Sequence, residues 1–122
     1  MVAHRILVIE DNDDAREMLA ELLAVRGYAT RTAHDAPTAL AIAADFQPTI
    51  ALLDIGLPIT DGYDLAIRLR ALAGLDQLHI VAVTGYGRAE DRRRSSAAGI
   101  DVHLVKPVDL AALTAAFVTT RG

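Results

Sequence analysis

Short apolar runs and amphipathic stretches alternate along the whole chain. Ile6-Leu7-Val8-Ile9 is continuously apolar and closed by Glu10-Asp11. It is too short for a helix and reads as a strand buried on both faces. Ala15, Met18, Leu19, Leu22 and Leu23 then recur at helical spacing, with Asn12 or Asp13 as N-cap and Gly27 as the stop. Tyr28 to Ala33 reads as a second strand, more polar and therefore nearer an edge. Ala36 to Ala44 predicts an alanine-rich helix, ended before Pro48. Thr49-Ile50-Ala51-Leu52-Leu53 is another buried strand, closed by Asp54, and a loop with Gly56 and Pro58 follows. Asp61 is expected to cap a helix carrying Leu65, Leu69 and Leu72. Ile80 to Val83 reads as a fourth strand ending at Thr84-Gly85, and Arg88 to Ala98 as a polar helix stopped by Gly99. Val102 to Val105 is a fifth strand ending at Lys106-Pro107, and Asp109 caps a last helix with Leu110, Leu113 and Phe117 on one face.

Strands and helices in strict alternation, five of each, specify an α/β fold: a doubly wound parallel sheet with helices on both faces and right-handed crossovers. No linker or low-complexity stretch interrupts the pattern, so residues 1–122 read as a single domain. An apolar fraction of 52% over 122 residues is enough for one buried core. The net charge of −4 argues against a nucleic-acid surface, which needs a basic patch. Without cysteine there are neither disulfides nor thiolate metal sites, which fits a reducing cytoplasm. No apolar stretch approaches the roughly 20 residues of a membrane span, and the start lacks the apolar core of a signal peptide. A cytoplasmic module without membrane contact is therefore expected.

In a doubly wound sheet, ligands bind outside the carboxyl ends of the strands, where the strand order reverses. The residues that follow the expected strands are Glu10-Asp11 after the first, Asp54 after the third, Thr84 after the fourth and Lys106 after the fifth. His34-Asp35, after the second, is assigned to an outer loop. Lys106 is the single lysine among twelve basic residues, a compact point charge in a chain that otherwise uses arginine. Three carboxylates on one rim repel one another, and a hard divalent cation relieves this. Oxygen-only sites favour Mg²⁺, with Mn²⁺ as the second choice. Beside such a cation, an ammonium and a hydroxyl suit a phosphoryl group, whose transfer needs mainly positioning and charge stabilisation. A carboxylate can itself be the nucleophile. Asp54, alone at the tip of a buried strand, is the candidate, and the adjacent Glu10 and Asp11 read as metal-holding partners.

Other chemistries find no support. The chain has no G-x-x-x-x-G-K-[ST] phosphate loop, and Gly85-Tyr86-Gly87 is a fragment of a dinucleotide fingerprint after the wrong strand. No serine sits in a nucleophile-elbow setting. His4, His34, His79 and His103 are scattered and read as turn and surface residues, not ligands.

The runs Ile6-Leu7-Val8-Ile9-Glu10-Asp11-Asn12, Leu52-Leu53-Asp54, Leu57-Pro58 with Asp61-Gly62, Val83-Thr84-Gly85 and Leu104-Val105-Lys106-Pro107, in this order, resemble the receiver domain of two-component response regulators. The resemblance covers essentially the whole chain. It implies a flavodoxin-like sheet of order 2-1-3-4-5. It further implies that Asp54 is the phosphoacceptor, supplied by a histidine kinase or a histidine phosphotransfer domain. Asp11 is implied as the direct carboxylate ligand of Mg²⁺, Glu10 as acting largely through water, and the backbone carbonyl of Gly56 as a further ligand. Thr84 resembles the switch hydroxyl, Lys106 the lysine that pairs with the phosphoryl group, and the bond to Pro107 is expected to be cis as in the family. The implied role is a switch in a phosphorelay, with self-phosphorylation and self-dephosphorylation but no turnover enzymology. Two other classes stay open: a receiver-like module that binds partners without phosphorylation, and a Mg²⁺-dependent phosphatase on a related fold. Such phosphatases commonly carry a second acid where this chain has Gly56.

Some positions depart from the family pattern. The first acidic pair is Glu10-Asp11 where Asp-Asp is commoner. His103 stands where many members carry the Tyr or Phe that swings inward on activation, so it is either a half-exposed strand residue or a titratable switch. Gly56 and Tyr86 occupy positions that tune phosphoryl lifetime in the family. Arg88, Arg92, Arg93 and Arg94 cluster on the expected fourth helix as a solvated face or a partner surface. In the family, the fourth helix, fifth strand and fifth helix together contact the downstream protein. Only five residues follow Phe117, so no DNA-binding effector is expected within this chain. The segment from Thr84 to Val108 looks like the receivers of hybrid histidine kinases in particular.

Overall fold

A computed structural model describes residues 4–55, 59–84, 97–105 and 109–117, with the side chains of 54, 55, 59–61 and 84 outside that description. Five strands, β1 (Arg5–Ile9), β2 (Ala29–Ala33), β3 (Ile50–Ile55), β4 (His79–Thr84) and β5 (Val102–Val105), form one sheet of order β2-β1-β3-β4-β5. Every neighbouring pair is parallel. The order implied by the family resemblance is therefore the observed one, and the polar strand Ala29–Ala33 lies at an edge.

Strand alternation divides the core in two. Leu7, Ile9, Ala51, Leu53, Ile80 and Ala82 face one layer, together with residues of α2 (Ala36–Phe46) and α3 (Ile59–Ala71). Ile6, Val8, Ile50, Leu52, Val81 and Val83 face the other, together with Leu23 of α1 (Asp13–Val25) and Leu113, Ala116 and Phe117 of α4 (Leu110–Phe117). The continuous apolar runs of β1, β3 and β4 are thus explained, because each strand must satisfy a hydrophobic layer on both sides. Of the five α1 positions singled out for their helical spacing, Leu23 is fully buried, whereas Met18 is 59% exposed and Leu22 41% exposed. No helix among the described residues is long and apolar enough to cross a membrane.

Helix ends follow side-chain chemistry. Asn12 caps α1, its Oδ1 accepting from the Ala15 N–H at 2.9 Å, and Gly27 leaves the helix at φ +90°. Asp35 caps α2, accepting from the Thr38 N–H at 2.9 Å. Hydrogen bonds from Thr38 hold the Asp35 carboxyl below the ordinary aspartate range. Asp109 caps α4 as expected, its Oδ1 accepting from the Ala112 N–H at 2.8 Å. Asp61, by contrast, does not cap α3: that helix begins at Ile59, which places Asp61 inside the first turn. An acid there still complements the helix dipole, so the sequence signal was right in kind and wrong by a few residues. Strand and helix limits shift similarly: α2 runs on to Phe46, β3 to Ile55, and β4 starts at His79. The expected fourth helix, Arg88 to Ala98, lies outside the described residues except for its last two positions.

At the amino-terminal rim of the sheet a polar clamp fixes where β5 begins. Arg70, near the end of α3, donates to the carbonyls of Leu78 (2.8 Å) and Gly99, and to Asp101 Oδ2 (3.1 Å). Asp101 Oδ2 also accepts from the Ile80 N–H at 2.8 Å. A Cβ at Gly99, whose φ is +87°, would stand 2.9 Å from Arg70 Nε, so glycine is required there. His79 Nε2–H donates to the Ala116 carbonyl at 2.8 Å, with Nδ1 3.8 Å from Asp101 Oδ2. His79 is therefore not a surface residue: its side chain is 12% exposed and links the sheet to α4.

Asp101→Ala should cost about 3 kcal/mol, because it removes the carboxylate facing a largely buried guanidinium and leaves the Ile80 N–H without its acceptor. Urea unfolding measures this, and a loss under about 1 kcal/mol would show that the clamp is peripheral. Because folding lowers the Asp35 pKa, its contribution is present above the ordinary aspartate pKa and is lost as pH falls through the lowered value. Carbon-detected NMR titration should find the Asp35 carboxyl protonating below the ordinary aspartate value, and Thr38→Ala should narrow that gap.

Candidate functional site

All five strands point the same way, so their carboxyl ends share one rim. The crossover direction reverses between β1 and β3, which are direct neighbours with Ile9 opposite Leu53. Glu10 and Asp11 continue the chain from Ile9, and Asp54 follows Leu53, so the acids of the β1–α1 turn and of the end of β3 lie at the reversal point. Asp54 pairs with Val83, Ile55 with Thr84, and Thr84 with Val105. Backbone register thus brings the positions of Glu10, Asp11, Asp54 and Thr84 to one rim, and Val105, which precedes Lys106, ends on the same rim. Gly56, Tyr86, the four arginines from Arg88 to Arg94, Lys106 and the bond to Pro107 lie outside the described residues, as do the side chains of Asp54 and Thr84.

The β1–α1 turn is described in full. Glu10 is 4% exposed. Its N–H extends the ladder to the Ala33 carbonyl at 3.0 Å, and its Oε1 accepts from the Asn12 N–H at 3.0 Å. The longer arm of glutamate folds back and braces the turn, while Asp11 stands exposed. Arg16 completes the turn: Nη1 donates to the Glu10 carbonyl at 3.0 Å and Nη2 to Asp13 Oδ1 at 2.5 Å. The sequence pattern does not single out Arg16. Its one signal is position, since a cation in the first turn of a helix opposes the helix dipole and needs a compensating contact.

The donor set suits a hard divalent cation. Glu10 and Asp11 offer carboxylate oxygens and the turn supplies no sulfur or imidazole, which favours Mg²⁺ or Mn²⁺ over softer metals. Two histidines are excluded by place, because His4 bonds Thr49 (3.2 Å) and His79 bonds Ala116 at the opposite rim. His34 is exposed and pairs with Asp35 at 3.2 Å. His103 lies half-buried in β5 opposite Ala82. Strand alternation puts its side chain on the face away from Val102 and Leu104, which pack with the α1 and α4 layer. Among the described side chains no three acidic or imidazole groups converge on one point.

Residues 6–118 match the family described as the response regulator receiver domain. An uncharacterized 14.6 kDa protein in the sodA1 3′ region of Leptolyngbya boryana is 35% identical over 104 residues, covering 85% of this chain and 79% of that protein. The sensor histidine kinase RcsC of Salmonella typhi is 41% identical over 108 residues, covering 88% of this chain but only 11% of the kinase. Among solved structures, the receiver domain of the sensor histidine kinase PA1611 from Pseudomonas aeruginosa, with a magnesium ion coordinated in its active-site cleft, superposes with a TM-score of 0.81 at 28% identity over 95% of both chains. A strand order with its reversal at β1 and β3, acids at that reversal, and a match over nearly the whole length lead to one conclusion: the chain belongs to the response regulator receiver domain family of two-component signalling.

Proposed function

We propose that residues 1–122 act as one receiver domain that takes a phosphoryl group onto Asp54 from the histidine of a kinase or phosphotransfer domain. The phosphorus–nitrogen bond of the donor breaks as an Asp54 oxygen bonds to phosphorus, and the histidine ring keeps the electron pair and takes up a proton. The chemistry that Mg²⁺ supplies when bound is neutralisation of phosphoryl oxygens. Asp11 would hold that ion, with Glu10 acting through water and the Gly56 carbonyl as a further ligand. Lys106 offers its ammonium to one phosphoryl oxygen and Thr84 its hydroxyl to another. Rearrangement of Thr84, with His103 in the place of the family's aromatic, passes the change to a downstream protein. That protein docks on the face formed by the expected helix Arg88 to Ala98, β5 and α4. The observation that carries the reading is the meeting of two acidic segments, after β1 and at the end of β3, where the crossover reverses. The relation to a sensor kinase of which this chain spans 11% supports a phosphorelay setting, and the cytoplasm is the location this reading proposes for it.

Incubation with Mg²⁺ and a small phosphodonor should add one phosphoryl group by intact mass. The product should be base-labile, absent with a chelator and absent in Asp54→Asn. Phosphorylation of Asp54→Asn, or unchanged partner affinity in that variant, would mark a module that works without the aspartyl phosphate, and sustained turnover of a phosphomonoester would mark a phosphatase. Lys106→Met should slow phosphorylation by about 100-fold, the usual cost of removing one charge-stabilising donor. Lys106→Arg should still be phosphorylated yet lose the change in partner binding, because a planar fork cannot follow a single oxygen as an ammonium does. Phosphodonor kinetics beside a partner pull-down separate the two effects.

A further inference from the structure

Arg16 is 17% exposed and spends its guanidinium on the turn that carries the acid pair. One nitrogen holds the Glu10 carbonyl at 3.0 Å, and the other holds Asp13 at 2.5 Å. The turn is thereby fixed on both sides of Asp11. Before it, Glu10 is bonded through its N–H to Ala33 and through its carbonyl to Arg16. After it, the Asn12 N–H is bonded to Glu10 Oε1, and the Asn12 side chain caps α1. Among the described side chains of α1, Arg16 is the one that hydrogen-bonds back to the end of β1. Its second bond occupies Asp13, a 78% exposed carboxylate near Asp11 that is otherwise available to compete for a cation.

We propose that Arg16 is a positioning residue for the divalent-cation site: its fork fixes the backbone that presents Asp11 and Glu10 and engages Asp13 elsewhere. The inference rests on the proposal above that these two acids hold the ion. Preorganisation of this kind lowers the ordering cost of binding. A fork is needed, because the two acceptors belong to different groups and lysine offers one nitrogen.

Charge alone makes the opposite prediction. A cation beside the site repels Mg²⁺, so Arg16→Met would tighten binding and Arg16→Lys would leave it unchanged. A positioning role weakens binding in both variants, by about 10-fold, the lower end of what the loss of an outer-sphere partner costs. Calorimetric Mg²⁺ titration of the wild type, Arg16→Met, Arg16→Lys and Asp11→Asn decides, with circular dichroism and the metal-free Tm checking the fold of each. Weaker binding in both Arg16 variants, with a smaller Mg²⁺-induced rise in Tm, is the expected result. Affinity within twofold of wild type, tighter binding in Arg16→Met, or a fall in metal-free Tm with no change in affinity would overturn it. If Arg16→Met does not fold, Arg16→Lys carries the comparison, and failure of both to fold would assign Arg16 a structural role. A wild type that does not bind Mg²⁺ at all would instead overturn the cation site itself.

Discussion

Burial of a parallel sheet on both faces is the constraint on which the rest of this structure depends. Parallel neighbours cannot be joined by tight turns, so each strand must be followed by a crossover that returns the chain to the starting edge. In this protein the described crossovers are helices, α2 and α3 on one face and α1 on the other, where α4 joins it. The central strands are consequently apolar throughout, and Ile6, Leu7, Val8, Ile50, Leu52, Ile80 and Val81 are fully buried. Polar chemistry has no room along such strands. It is pushed to their ends, and because the strands are parallel, all carboxyl ends meet at one rim.

The two rims do different work with similar groups. At the amino-terminal rim, Arg70 and Asp101 spend their charges on backbone groups and on each other, and His79 ties β4 to α4. Those bonds set where β5 starts and hence where it ends. At the carboxyl rim, the acids of the β1–α1 turn are braced without being consumed. Glu10 is held by the turn itself, Arg16 is spent on a carbonyl and on Asp13, and Asp11 is left facing solvent. A buried ion pair is a poor source of stability for its own sake. The clamp at one rim is better understood as fixing a register, and the braced acids at the other as the surface that the proposed cation and phosphoryl site would use.

Periodicity made most of the fold legible before any coordinates. Continuous apolar runs mark strands with two buried faces, and spacing of three and four marks the helices between them. The caps at Asn12, Asp35 and Asp109 carry their own chemical signal, although the sequence alone assigned His34-Asp35 only to a loop. Element limits were less legible. Asp61 looked like a cap but sits inside α3, and His79 read as a turn or surface residue but opens β4. In both cases the deciding term was tertiary, since neighbouring strands and layers extend or trim an element beyond what its own residues prefer.

The acids of the candidate site stood out because they close apolar runs, and Lys106 because no other lysine exists in the chain. Arg16, Arg70 and Asp101 were not, because each acts through a partner distant in sequence or through a backbone carbonyl, and neither leaves a local pattern. The sequence by itself determined the alternation, the parallel sheet and the polar residues at its strand ends, since these follow from period and length. Only the tertiary structure decided which side chains brace those ends and which stay free to meet a ligand, because that depends on distances between elements that no local pattern encodes.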